Sequence, residues 1–173
     1  MTDQDQLQVF VAFSAEVTGF TEFELNGTGH PEEFLSTVAE AVGDEVLGEL
    51  LGAWSRLVEE AHGERSVVQT LLRREIFSDR KLGPVARNIV KLWYVGIWYE
   101  LPPEWIDAFG ALEKNYTFTV SPSAYTEALL WPAIGANPPG VKGPGYASWA
   151  KPPRIPGVTS SSASTEPGRQ AGR

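Results

Sequence analysis

Cysteine is absent from the 173 residues. That excludes disulfides, thiolate-held metals, iron–sulfur clusters and covalently attached haem, and it leaves the redox compartment open. Histidine occurs only at 30 and 62, and no Gly-x-Ser-x-Gly is present, so there is little room for a hydrolytic triad. No apolar run is long enough to cross a membrane; the most apolar stretch, 84–98, is interrupted by Arg87 and Lys91. Positive charge is scarce at the front. Residues 1–62 hold 13 acidic side chains against Arg56 alone, a balance of −12, whereas 63–173 sum to +4 and the whole chain to −8. This distribution argues against nucleic acid as the partner. The start, Met-Thr-Asp-Gln-Asp-Gln, lacks the positive region of an export signal, and Arg73-Arg74 lies mid-chain, so the sequence taken alone predicts a cytoplasmic protein without membrane insertion. There is no internal repeat. The length fits one domain with a real core.

What is present is helical periodicity. In Pro84–Trp98, Val85, Ile89, Leu92, Trp93 and Gly96 recur three or four apart, with Val90, Tyr94 and Ile97 on the other side. A helix apolar on nearly every face is a buried one. Gly83 is suited to cap it, with Pro84 at the first position. At its far end four aromatics, Trp93, Tyr94, Trp98 and Tyr99, surround Gly96, whose missing side chain lets another backbone or a ligand come close.

Earlier helices are predicted over 5–18 (Leu7, Phe10, Val11, Ser14, Val17, ended by Gly19) and from Pro31, with Phe34, Leu35, Val38 and Val42 inward. Between them, 19–30 reads as a loop with Asn26-Gly27 as its turn. Asp44 reads as the cap of a helix striped by Leu47, Leu50, Leu51, Trp54, Leu57, Val58 and Ala61 and stopped by Gly63. Ser66 reads as the cap of the next, built on Val67, Val68, Leu71, Leu72 and Ile76, with Phe77–Gly83 a polar connection. Beyond the central helix, Pro103 starts a short helix, 115–120 alternates like a strand, and Ser121-Pro122 opens a helix running to Trp131 and stopped by Pro132.

Composition then shifts. Residues 135–157 are rich in glycine and proline yet keep Val141, Tyr146, Trp149 and Ile155, which predicts an ordered, irregular arm lying on its own helices or on a partner. Residues 158–173 have the composition of a disordered tail. The expected class is mainly α: a compact multi-helix domain, 1–134, around a central buried helix, with an extended Gly/Pro-rich C-terminal arm.

Motifs that resemble chemistry have plainer readings. Glu59-x-x-His62 would face one side of a helix, but a di-iron bundle needs a second such pair, and Gly27 stands where the glutamate for His30 would be. Gly140-Val-Lys-Gly-Pro-Gly145 has no strand before it and no helix-forming run after it, so it is a turn rather than a phosphate loop. Arg65, Arg73, Arg74, Arg80, Lys81, Arg87 and Lys91 form a basic region that complements the acidic front half or a partner. Of the many aromatics, Trp93 and Trp131 fit a core role. Tyr146 and Trp149, in the arm, fit an interface equally well.

Three ordered pieces, Ala86–Trp98, Ser121–Trp131 and Gly143–Pro153, resemble the small subunit of bacterial FAD-dependent sugar and sugar-alcohol dehydrogenase complexes. The family is named for the membrane-bound, FAD-containing sorbitol dehydrogenase, and fructose and glucose dehydrogenase small subunits are similar. Residues 13–25 resemble its front-end pattern of Ser, Thr-Gly and spaced Phe and Leu. The resemblance spans about 9–153. It implies a non-catalytic small subunit that binds, stabilises or matures a glucose–methanol–choline-type large subunit carrying FAD and the substrate site. In some complexes a multihaem cytochrome c subunit accepts the electrons. It also implies a complex exported to the periplasm or membrane by a twin-arginine signal, from which this chain departs by having none.

The reading is therefore a chain with no catalytic, cofactor-binding or metal residues of its own and with FAD in the partner. Trp98, Tyr99, Tyr125, Trp131, Gly145, Tyr146 and Trp149 are its expected interface. The alternatives are a stand-alone helical enzyme using carboxylates such as Glu59 and Glu60, or a general chaperone-like adaptor.

Overall fold

The computed structural model describes residues 3–110 and 112–138. The architecture is mainly α, with a two-stranded sheet as its one β feature among the described residues. Four helices form the core: α1 (Asp3–Thr18), α3 (Pro31–Val42), α4 (Asp44–Glu60) and α6 (Leu82–Val95), each of which contacts the other three. The 84–98 helix is thus one of four mutually packed helices rather than a lone axis. Trp93 of α6 sits where α1 and α3 meet it, 1% exposed, stacked on Phe10 of α1 at 6.3 Å and edge-on to Phe34 of α3 at 4.8 Å. Phe13 of α1 meets Trp54 of α4 edge-on in the same way. Edge-to-face aromatic pairs add to the gain from burial.

Several local expectations change. α4 begins at Asp44 itself, with Gly43 as the flanking residue and no side-chain cap; Asp44 still places a carboxylate in the first turn. Val58 is 38% exposed because it lies on the rim of the stripe that Leu47, Leu50, Leu51, Trp54 and Leu57 bury. α5 (Arg65–Leu71) begins before Ser66, whose hydroxyl donates to Glu64 Oε1 instead of capping. The helix expected through Ile76 is present but changes type partway, and the expected polar connection is confined to 78–81. Leu72–Phe77 widens into a π-helical segment that packs on α4 and α6, burying Leu72 and Ile76. α6 starts at Leu82, so Gly83 and Pro84 lie inside its first turn, and Asp79 Oδ1 accepts from the backbone N–H of Lys81 and Leu82. Proline is tolerated there because first-turn N–H groups have no helical partner.

After α6 the chain doubles back. β1 (Ile97–Trp98) pairs antiparallel with β2 (Phe118–Thr119), with Ile97 opposite Thr119 and Trp98 opposite Phe118. α7 (Pro103–Phe109) lies between them and is tied to the start of α6 by Trp105 Nε1 donating to the Lys81 carbonyl at 2.8 Å. Buried Asn115 fastens the turn, its Oδ1 accepting from Leu101 N at 3.1 Å and Trp98 Nε1 at 3.4 Å.

Gly96 ends α6 in the left-handed region at φ 69°. A Cβ there would lie 2.6 Å from the Ala124 carbonyl carbon and 2.8 Å from Tyr125 N. The close approach expected at this glycine is that of another backbone, the start of α8 (Pro122–Thr126), capped as expected by Ser121 Oγ.

Candidate partner-binding surface

The stretch expected as a loop, 19–30, contains a helix, α2 (Glu22–Gly27). Its origin is a capping box. Thr21 Oγ1 accepts from Glu24 N at 3.3 Å, and Glu24 Oε2 accepts from Thr21 N at 2.9 Å. Thr-x-x-Glu was the signal available in the sequence, and the Asn-Gly pair masked it. With Phe20 and Leu25 buried, the short helix turns Phe23 outward, where it is 86% exposed. An exposed phenylalanine on an ordered, capped helix is the kind of residue that marks a docking surface when other apolar groups adjoin it.

They do adjoin it. The expected helix from Pro122 to Trp131 is instead two short helices, α8 and α9 (Leu130–Ile134). The break is made by Leu129, whose N–H leaves the helical pattern to donate to the Trp93 carbonyl at 3.0 Å, one of the orphan acceptors at the end of α6. Pro132 consequently falls in the first turn of α9 rather than at a helix stop. Trp131 Nε1 donates to the Tyr125 carbonyl at 2.7 Å, and the two rings meet edge-on at 5.3 Å. Gly135, at φ 68°, then reverses the chain, and Ala136 N donates back to the Trp131 carbonyl at 2.9 Å.

Between α2 and this α8–α9 corner lies an open groove of about 500 Å³. Phe20, Phe23, Trp131, Pro132 and Pro138 line it, with Glu24 and Glu127 as its carboxylates. A second depression joins Tyr94, Ala133 and half-exposed Ile134 of α9 to Arg65 and Glu16, which stand 3.9 Å apart. Tyr94 donates its hydroxyl to the Thr18 carbonyl at 2.9 Å, and burial pushes its phenol pKa up.

The sequence-derived interface residues divide. Tyr125 and Trp131 come together beside the groove, both half-buried. Trp98 does not face a partner: it is 0% exposed, enclosed by the β1–β2 turn and bonded to Asn115, because the chain after Gly96 folds inward. Tyr99 is half-buried away from the groove, its ring 5.2 Å beneath Lys91 Nζ and its carbonyl accepting from Asn88 Nδ2. Gly145, Tyr146 and Trp149 lie outside the described residues. Phe20, Phe23 and Ile134 were missed.

Other constellations resolve into structure. His62 has left α4, at φ 48°, and Glu59, Glu60 and His62 are all exposed. His30 Nδ1 pairs with Glu33 Oε2 at 2.8 Å, and Ser121 Oγ donates to the same oxygen at 3.1 Å. The carboxylate stands in the middle, so the histidine is not placed to take a proton from the serine as a nucleophile–base pair requires. This trio instead ties α3 to the cap of α8. Among the described residues no group of three or more acidic or histidine side chains is arranged to hold a metal. Part of the basic region does complement the acidic front: Lys81 pairs with Glu49 at 2.6 Å and Arg65 with Glu16, while Lys114 pairs with Glu40 from farther along the chain. No helix among the described residues is long and apolar enough to cross a membrane. No protein-family model, no curated protein and no solved structure matches this chain.

Proposed function

We propose that this chain is a non-catalytic small subunit that binds and stabilises the FAD-containing large subunit of a sugar or sugar-alcohol dehydrogenase complex. The observation that carries the reading is the open aromatic groove between α2 and the α8–α9 corner, from which the Gly/Pro-rich arm departs. A protein that keeps Phe23 almost fully in water, beside half-buried Tyr125 and Trp131, gains from covering them. The ordered resemblance of Ala86–Trp98, Ser121–Trp131 and Gly143–Pro153 to that family's small subunits supports this choice of partner. In this reading the contact surface is the groove rim, with Tyr125 and Trp131, joined by Trp149 from the arm. FAD belongs to the large subunit, and a cytochrome c subunit completes the complex where one exists.

The test is coexpression with the FAD-containing dehydrogenase encoded nearest to it in its own genome. The expected result is a higher yield of flavin-loaded large subunit with the chain than without it. Equal yields, or stoichiometric flavin on the purified chain alone, contradict the proposal.

A further inference from the structure

The groove already holds part of its own chain. After Gly135 reverses direction, Ala136, Asn137 and Pro138 run along its wall, and Pro138 is buried there. The chain continues from that buried residue with Pro139-Gly-Val-Lys-Gly-Pro-Gly-Tyr146. Its first bulky apolar groups are Val141 and Tyr146. At roughly 3.1–3.5 Å per residue, Val141 reaches about 10 Å and Tyr146 up to about 25–28 Å beyond Pro138. This length is more than twice the roughly 8–10 Å between packed helices. Charge agrees with the same occupant. Residues 139–157 carry Lys142, Lys151 and Arg154 and no acid, whereas the groove presents Glu24 and Glu127 in a domain whose first 62 residues balance at −12.

We infer that the occupant of the groove is residues 139–146 of the same chain, with Val141 and Tyr146 set against Phe23 and Trp131. The glycines at 140, 143 and 145 let the backbone lie close to the helices, and the prolines reduce the entropy lost on docking. The docking is made within one chain and is tested without a partner; it leaves to the partner of the dehydrogenase reading the rim at Tyr125 and the outer face of the filled groove.

The test uses the full chain and exploits its lack of cysteine. Asn26, exposed on α2 beside the groove, is replaced (Asn26→Cys) and given a nitroxide label, and amide signals are compared in the oxidised and reduced label by NMR. The expected result is loss of most of the signal for 140–146, with 165–173 unaffected, and recovery of 140–146 on adding Phe23→Glu. Because Phe23 is 86% exposed, that change leaves the helical core intact, as unchanged signals from α1, α3, α4 and α6 verify. Full-strength signals for 140–146 in the labelled chain overturn the inference. So does broadening that appears equally when isotope-labelled chains without nitroxide are mixed with nitroxide-bearing ones, since the occupant is then a second copy.

Discussion

Gly96 ends one helix and makes room for another. Its left-handed backbone ends α6, its carbonyl accepts from Val120 N at 3.0 Å, and the absent Cβ makes room for the Ala124–Tyr125 peptide. Gly96→Ala meets two costs. The left-handed conformation alone is worth roughly 1–3 kcal/mol for a residue with a Cβ, and backbone atoms at 2.6–2.8 Å must also move. The expected outcome is a lower urea midpoint with an unchanged slope, together with weakened protection of the α8 amides. A midpoint equal to that of the parent contradicts this packing. Tyr94 gives a pH-dependent counterpart. Burial raises its phenol pKa, so the folded chain favours the neutral form. The resulting stability is complete below the ordinary tyrosine value of about 10 and is lost as pH rises through the raised folded value. Tyr94→Phe should cost about 0.5–1.5 kcal/mol at neutral pH through the lost bond to the Thr18 carbonyl. It should also lose less stability than the parent above about pH 10. Urea midpoints of both proteins at neutral and alkaline pH check this, and identical alkaline losses contradict it.

At the scale of elements, the long amphipathic helices were legible because their apolar residues recur over three or more turns. α1, α3, α4 and α6 all lie where periodicity put them, within a few residues. What periodicity cannot supply is the partner of a backbone group far away in sequence. The break between α8 and α9 depends on Leu129 finding the Trp93 carbonyl, and the start of α6 depends on Asp79 rather than on Gly83. Short α2 was hidden for a different reason. Six residues hold less than two turns, too few for a periodic signal, and its capping box was the remaining clue. The same limit affected the site. Tyr125 and Trp131 could be nominated as aromatics, but Phe23 becomes notable only when α2 exists to hold it outward, and Trp98 became core once β1 turned inward. The packing of α6 carries its own prediction. Trp93 touches Phe10 and Phe34 and is almost fully buried, so Trp93→Ala should destabilise the domain by about 3–5 kcal/mol. An unchanged urea midpoint would mean that the four-helix contact does not depend on it.

For the whole molecule, the proposed partner rests on three features: the half-buried Tyr125–Trp131 pair at the edge of an aromatic groove, an arm that begins in that groove, and a family resemblance whose pieces include the arm itself. The arm should therefore matter more to association than the tail after it. A chain ending at residue 157 should bind the flavoprotein like the full chain, and Trp149→Ala should bind it more weakly. Equal affinity of Trp149→Ala and the parent would remove the arm from the interface. The most direct measurement is gel filtration of the full chain coexpressed with the FAD-containing dehydrogenase encoded nearest to it. Both proteins and the flavin absorbance are expected to elute together in one peak ahead of either protein alone. Separate elution, with the large subunit equally soluble and flavin-loaded in the absence of this chain, would contradict it.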